Sequence, residues 1–413
     1  MTAVPSLLPS VRDRRLDVLR GLCLLDMVLV HLLEQHVNAP WAVGEVALHW
    51  LRFAAGGFVM TSGLCVGAIH YQRALDPDRR DRTYRSLLKR AAFVLGVHYF
   101  STILALILIP IQGRPVIGVG QMLWDVLTLR TGYDLLLFYV FMLAISPLLI
   151  TALRRAGAGV VLAVSIGIFF WRYDHPYLSL WAIENHFPLI RWQLIFVIGL
   201  VLGSKLKAYD TLPAARKWQL LAAAALVALG IDTLSAMDRA GWLVLPWWLA
   251  VTKLPLSILE VVRYLCIAVA AGVLLDRGWK WIGQSTAQRV LSAVGMQSLM
   301  LWVVHVPIVS NAAPLPWLLA IGVAWAGVWF AAVIGTWLSR QWAASMNSLP
   351  RLSYVVPAVG SLLVCLTLLR LETPTVIETQ LAAGDLFDES VFFDGDSDDS
   401  PIPLDEDSIS ETA

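Results

Sequence analysis

Apolar residues fall in runs of roughly 18 to 22 residues, separated by short polar segments rich in arginine. The runs lack the strict alternation of a strand, and their length suits a helix that crosses a bilayer. They predict spans at 16–36, 53–71, 91–111, 133–152, 158–171, 191–206, 218–237, 254–275, 293–313, 317–338 and 355–370. Because only helices and closed barrels satisfy backbone groups in lipid, the pattern predicts an all-α, polytopic membrane bundle of about 10–11 transmembrane helices.

The composition agrees with an integral membrane protein. Of 413 residues, 58% are hydrophobic and 18 are tryptophan, and the mean hydropathy is +0.69. One soluble core does not need so many apolar residues. The first run follows a charged stretch, like the apolar part of a signal peptide, but it contains Arg20, Asp26 and His31 and lacks an A-x-A cleavage site. We therefore expect it to be a retained helix.

Lys and Arg are distributed unequally between alternate loops. The loops opposite the amino terminus hold seven of them, Arg52, Arg114, Arg130, Arg172, Arg191, Arg239 and Lys253, and most others lie on the same side as the amino terminus. The positive-inside rule then predicts a multi-pass membrane protein with a cytoplasmic amino terminus. In this orientation Arg20 lies nearer the cytoplasm and His31 nearer the outer face.

Acidic residues are concentrated at the carboxyl-terminal end. Residues 371–413 contain thirteen Asp and Glu and no Lys or Arg, although the net charge of the whole chain is +1. A segment rich in Asp, Glu, Ser and Pro cannot bury enough apolar surface to fold. The sequence predicts a membrane domain over residues 1–370 and a disordered acidic tail over residues 371–413, to which we assign no catalytic role.

Two ionisable residues lie on one stripe of the first predicted helix. His31 comes eleven positions after Arg20. At 100° per residue this spacing brings it back to within about 20° of Arg20 and about 16 Å further along the axis. An ionisable side chain in hydrocarbon is costly unless it faces the protein interior or a watery cavity. The spacing therefore predicts a polar path through the membrane, with Asp26 on another face of the helix.

A second concentration of charge precedes the third predicted span. The segment from Arg79 to Arg90 is rich in arginine and includes Arg82 and Arg85. One interpretation is a topology anchor that contacts anionic membrane lipids. The other is a phosphate-binding surface, since the guanidinium fork matches phosphate oxygens.

Several motifs occur in a fixed order. They are Leu16-Asp17-x-x-Arg20-Gly21, Arg20-x10-His31, Ser62-Gly63, Arg82-x-x-Arg85, Trp192-Gln193-Leu194-x-Phe196-x-x-Gly199, Lys253-x9-Arg263 and Gly295-x-Gln297-Ser298-Leu299. The set resembles the membrane-bound acyltransferase superfamily (acyltransferase family three-like). Within it, the OpgC-type succinyltransferases of osmoregulated periplasmic glucans are most similar, over about residues 12–340. The sequence departs from that pattern at Met60-Thr61, before Ser62-Gly63, and in its acidic tail.

This resemblance implies O-acyl transfer from cytosolic acyl-CoA, succinyl-CoA in the named family, to a carbohydrate hydroxyl outside the membrane. His31 is the candidate general base that takes the proton of the attacking hydroxyl. Arg20 either binds the phosphates of CoA or stabilises charge on the thioester carbonyl. Arg82 and Arg85 would hold CoA at the entrance.

Three further residues are candidates for the acceptor site. Glu184 and His186 follow Trp181 in an outer segment that mixes an aromatic residue with hydrogen-bonding groups, as in a sugar site or an aromatic belt. Arg263 comes three positions after Glu260, which fits an internal ion pair or a contact with the acceptor. His70, His98 and His305 lie near span ends and receive no role, with His305 the leading exception.

The competing class is a secondary transporter of a small polar or anionic solute, with the intramembrane charges lining its route. The chain has no convincing internal repeat, and its arginine-rich loop fits CoA better than a midplane solute. A non-catalytic envelope scaffold would explain the tail but not the register of Arg20 with His31.

The sequence also bears on metals and nucleic acids. Cys23, Cys65, Cys266 and Cys365 lie in apolar runs without metal-ligand spacing, so we expect neither a metal nor a disulfide framework. The basic residues lie at membrane boundaries without interleaved aromatics, so we expect no nucleic acid. No motif indicates an oligomeric state.

Overall fold

The computed structural model describes residues 13–35, 50–51, 53–111, 134–171, 189–246, 249–251, 256–312 and 315–345. These residues form helices and connecting turns, and no β-strand occurs among them. The helices are α1 (Arg14–Gln35), α2 (Phe53–Ala74), α3 (Pro77–Ile111), α4 (Asp134–Phe170), α5 (Leu189–Ser204), α6 (Leu206–Asp210), α7 (Ala214–Arg239), α8 (Ile258–Ile282), α9 (Thr286–Met296), α10 (Ser298–Ala312) and α11 (Trp317–Ser345). The predicted all-α membrane bundle is confirmed.

Five of the described helices are long and apolar enough to cross a membrane. The corresponding segments are Phe53–Ala74, Leu135–Phe170, Ala214–Arg239, Ile258–Ile282 and Trp317–Trp337. Helix α5 is apolar but shorter, and α1 carries the ionisable residues of the first predicted span. The predicted span at 355–370 and the acidic tail lie outside the described residues.

Three predicted spans differ from the helices that form. The spans at 133–152 and 158–171 are both in α4, where Gly157 breaks the helix with a φ of 83° that suits a residue without Cβ. The single span at 293–313 is divided into α9 and α10 at Gln297, whose φ of −96° and ψ of 15° are not helical. Hydropathy does not detect this break because only two polar residues, Gln297 and Ser298, interrupt the apolar run.

Helices α2 and α5 pack with their backbones almost in contact. A Cβ added at Gly63 would meet the carbonyl oxygen of Phe196, and one added at Gly199 would meet that of Met60. Gly67 and Gly203 repeat this arrangement one turn further along. Since lipid provides little hydrophobic drive for helix association, small residues allow the close van der Waals contact that holds such helices together. Gly63 and Gly67 form a small-x-x-x-small pair in the sequence, a pattern that predicts the close approach of another helix, and the structure confirms this packing role.

A second close backbone contact joins α1 to α9. A Cβ on Gly295 would meet the carbonyl oxygen of Asp17, and a Cβ on Gly21 would meet that of Leu291. The residue pairs run in opposite directions along the two helices, so α9 is antiparallel to the first half of α1. This contact fixes where α10 begins relative to α1.

An ion cluster ties the start of α1 to three other helices. Arg15 donates hydrogen bonds to Asp13 at 2.8 Å, Asp210 at 3.0 Å and Asp276 at 2.8 Å. Lys217 on α7 also reaches Asp276, at 3.1 Å. The hydrogen bond with Asp13 is the main cause that raises the pKa of Arg15 above its ordinary value. The cluster therefore stabilises this end of the bundle around a permanent positive charge.

We predict that Gly63→Ala lowers the free energy of unfolding by about 1–3 kcal/mol, because the new methyl group meets the Phe196 carbonyl and separates α2 from α5. Gly230→Ala is the matched control, since a Cβ on Gly230 meets nothing within 4 Å. In a helix this control should be neutral or stabilise by up to about 1 kcal/mol. Unfolding of the purified proteins in detergent measures both changes, and equal stabilities would contradict the close contact.

Candidate active site

His31 lies on the second half of α1, with about a third of its side chain exposed. Its Nδ1 is 3.2 Å from Oε2 of Glu34, one turn further along the same helix. A carboxylate only accepts hydrogen bonds, so this contact places the imidazole proton on Nδ1. The other nitrogen, Nε2, then carries a lone pair and is able to accept a proton.

A second histidine covers one face of the His31 ring. His305 of α10 stacks on it with ring centroids 5.4 Å apart and an angle of 28° between the planes. Nδ1 of His305 donates to the carbonyl oxygen of Trp302, and the ring is fully buried. Sequence analysis gave His305 no role, and the structure makes it the closest aromatic neighbour described for His31.

Arg20 lies on the first half of α1 and contacts the start of α10. Its Nη2 donates a 2.5 Å hydrogen bond to Oγ of Ser298, and its guanidinium carbon lies 5.8 Å from the ring centroid of Phe58 on α2. The described residues include no carboxylate within ion-pair distance of Arg20. A positive charge thus faces the bundle interior without a bound counter-ion.

Helix α10 brings the two predicted residues into one groove. Ser298 begins the helix beside Arg20, and His305 lies beside His31. These contacts advance in the same direction along both helices, so α10 runs parallel to α1. The predicted shared stripe of Arg20 and His31 therefore lies along α10.

Arg263, a candidate acceptor residue, lies in the interior of the bundle. Its side chain is 1% exposed, and it pairs with Asp232 at 2.9 Å and Glu260 at 3.1 Å. Its guanidinium also lies 5.5 Å from the ring centroid of Trp50. The predicted ion pair with Glu260 is confirmed, and Asp232 is a partner that sequence analysis did not identify.

The remaining candidates lie away from these contacts or outside the described residues. Arg82 and Arg85 are exposed on the first half of α3, and in the described part of the chain neither has an ion-pair partner. Glu184 and His186 lie in residues 172–188, outside the described residues.

The Trp192-Gln193 motif joins two helices. Trp192 is completely buried in α5. Gln193 accepts a 2.6 Å hydrogen bond from the Ser165 hydroxyl and donates a 2.8 Å bond to the Ser165 carbonyl of α4. The amide therefore satisfies polar groups that would otherwise be unpaired inside the membrane domain.

A family of known proteins matches most of the chain. The sequence model of a family described as OpgC protein matches residues 12–346, which include every motif given above. The chain belongs to the OpgC family. No curated protein and no solved structure matches it. Membership of the OpgC family implies a transferase, in agreement with the sequence resemblance.

In the described part of this OpgC-family protein, no group of three or more His, Cys, Asp or Glu is arranged to hold a metal ion. The residues gathered around Arg20 and His31 instead supply a proton acceptor and a positive charge. This combination suits general-base chemistry on an anionic substrate.

Sequence analysis missed three groups of the site: Glu34, Ser298 as a partner of Arg20, and the stacked ring of His305. Glu34 had a detectable signal, since a carboxylate three positions after a histidine lies on the same helix face. His305 and Ser298 are more than 270 positions from their partners, which no helical spacing can connect.

We predict that Arg263→Met destabilises the protein by about 3–5 kcal/mol, because Asp232 and Glu260 would lose the cation that balances them in the interior. Arg263→Met combined with Asp232→Asn and Glu260→Gln should recover part of this loss. Unfolding in detergent measures the effect. Wild-type stability together with a weaker apparent affinity for the acceptor would instead place Arg263 in the acceptor site.

Proposed function

We propose that this OpgC-family protein transfers an acyl group, with succinyl the first candidate, from acyl-CoA to a hydroxyl of a glucan or other polysaccharide outside the bacterial inner membrane. Family membership supports a transferase with an acyl donor. The apolar helices support a membrane enzyme. The observation that carries the proposal is the hydrogen bond between His31 and Glu34, which leaves His31 Nε2 ready to take a proton.

In the proposed reaction His31 acts as general base. Nε2 takes the proton of the acceptor hydroxyl while its oxygen attacks the thioester carbonyl carbon. A new C–O bond forms, the C–S bond breaks, and the proton passes from His31 to the departing CoA thiolate. Glu34 holds the imidazole in the required tautomer and stabilises the imidazolium that forms transiently.

Arg20 and His31 lie too far apart to act on the same reacting centre. Their contacts on α10, Ser298 and His305, are seven residues apart, or about 10 Å along a helix. A donor to the oxyanion and a base for the attacking hydroxyl must each lie about 3 Å from neighbouring atoms of one reacting centre. Of the two roles left open by the sequence, the geometry therefore favours binding of the donor's phosphates by Arg20.

The length of CoA is compatible with a phosphate bound at Arg20 and a thioester at His31. Its pantetheine arm has about as many chain bonds as four extended residues and spans roughly 15 Å. Arg20 and His31 are about 16 Å apart along α1. A phosphate held near Arg20 thus leaves the thioester within reach of His31. The exposed Arg82 and Arg85 would attract the rest of the nucleotide.

The interior ion pairs bear on the alternative of a transporter. Arg263 is bound by Asp232 and Glu260 and is 1% exposed, as a structural charge would be. Arg20 is partly buried and His31 is about a third exposed, and both lie on α1, which carries the Arg20-x10-His31 motif.

Mass spectrometry of envelope glycans from wild-type and deletion cells tests the function directly. Loss of one acyl unit per modified sugar in the deletion strain supports the enzyme. Unchanged glycans, together with loss of uptake or export of an anionic solute, would support the transporter.

We expect His31→Ala to reduce acyl transfer on the order of 100- to 10,000-fold at normal expression, because the base is lost without a new buried charge. Glu34→Gln should cost about tenfold or more, since an amide no longer requires the Nδ1 tautomer. Transfer assays in membranes with acyl-CoA and glucan measure both rates. Normal acylation by well-expressed His31→Ala would exclude His31 as the base.

Arg20→Lys should lower kcat/KM for the donor on the order of tenfold to a hundredfold, or about 1.4–2.8 kcal/mol, because lysine lacks the planar fork that binds two oxygens of one phosphate. Expression should not change, since both residues impose similar costs of insertion. A kcat/KM of Arg20→Lys near the wild-type value would show that donor binding does not depend on the planar fork of arginine.

The double variant Arg82→Ala with Arg85→Ala should raise the KM for acyl-CoA more than it lowers kcat, because lost phosphate contacts weaken binding first. Steady-state kinetics over a range of donor concentrations separates the two parameters. An unchanged KM would assign these arginines to the topology anchor.

A further inference from the structure

Two buried hydrogen-bond donors without a partner among the described residues lie in the region bordered by Arg20, Phe58, Tyr139 and Ser298, which we name the Arg20 chamber. Nε of Arg20 is buried and has no hydrogen-bond partner among the described residues. The hydroxyl of Tyr139 on α4 is also buried and makes no hydrogen bond of normal geometry in that part of the chain. Each unsatisfied buried donor costs free energy unless a ligand supplies the missing acceptor.

Phe58 places these two donors in the same chamber. Its ring lies beside the Arg20 guanidinium and packs edge-on against Tyr139, with ring centroids 5.8 Å apart. Arg20 and Tyr139 therefore lie against the same aromatic ring. Tyr139 lies near Ser62, whose own hydroxyl already donates to the Phe58 carbonyl oxygen at 2.9 Å.

Ser298 adds a third donor. Its oxygen accepts the hydrogen bond from Arg20, which leaves its own hydroxyl proton to be donated elsewhere. Asp26 comes six positions after Arg20, about 120° around α1, and no ion pair joins the two residues within the described part of the chain. The chamber therefore presents a positive charge and hydrogen-bond donors from three helices, α1, α4 and α10.

We infer that this chamber binds a phosphoryl group, with Tyr139 as a binding residue beside Arg20 and Ser298. A phosphoryl group carries several acceptor oxygens and negative charge, which match the unsatisfied donors and the unpaired guanidinium. The inference rests on the proposed function, in which that group belongs to the CoA donor. A lipid headgroup offers the same chemistry and is a separate outcome of the test.

Tyr139→Phe tests the inference because it removes one oxygen and keeps the ring packed against Phe58. Thermal stabilisation of the full-length protein in a phosphate-free maltoside detergent would be titrated with CoA, with pantetheine, which lacks phosphate, and with a short-chain phosphatidylglycerol. Tyr99→Phe, the same chemical change on α3, is the matched control.

We expect Tyr139→Phe to fold normally and to bind CoA about tenfold more weakly than wild type. Its response to pantetheine should not change, and Tyr99→Phe should bind CoA as wild type does. Wild-type affinity of Tyr139→Phe for CoA, or an equal loss for pantetheine, would overturn the inference while acyl transfer by the wild type still supported the proposed function.

Two other outcomes concern the ligand. Stabilisation of the wild type by phosphatidylglycerol and not by CoA, abolished in Tyr139→Phe, would assign the chamber to a lipid and overturn the donor assignment. Absence of both CoA binding and acyl transfer in the wild type would overturn the proposed function together with the inference.

Discussion

The arrangement of the site depends on one backbone contact, between Gly21 of α1 and Gly295 of α9. Any side chain at either position would meet a carbonyl oxygen of the partner helix. Because lipid provides little hydrophobic drive between helices, such close approach is a main source of their association. Gln297 ends α9 directly after this contact, and α10 then runs along α1 beside Arg20 and His31.

Arg263 and Arg20 illustrate how environment separates a balanced charge from one that we propose to be functional. Arg263 is enclosed by Asp232 and Glu260, so its positive charge is balanced within the bundle. Arg20 has a serine hydroxyl and an aromatic face as its described contacts, and neither neutralises its charge. An unbalanced charge in such surroundings costs free energy unless a ligand neutralises it. Intramembrane ionisable residues therefore often mark functional sites.

Much of the fold was predictable because the length of an apolar run and the need to satisfy backbone hydrogen bonds in lipid together predict a transmembrane helix. The same local geometry placed Arg20 and His31 on one stripe and predicted the close packing of Gly63 and Gly67. The helix breaks at Gly157 and Gln297 differed in whether the apolar pattern predicted them. Gly157 fell between two predicted spans, whereas Gln297 and Ser298 form a polar pair inside an otherwise apolar run and are too few for hydropathy to divide it.

The sequence by itself determined the class of the protein, its family and the register of Arg20 with His31, since each depends on residue order along a single helix or on ordered motifs. Only the tertiary structure decided which residues meet them. Ser298 and His305 contact Arg20 and His31 from a helix distant in sequence, and Tyr139 packs on the same Phe58 ring as Arg20. No periodicity connects these residues. Contacts between helices depend on how their backbones pack in three dimensions. The residues that contact each charged side chain are therefore known only from the folded structure.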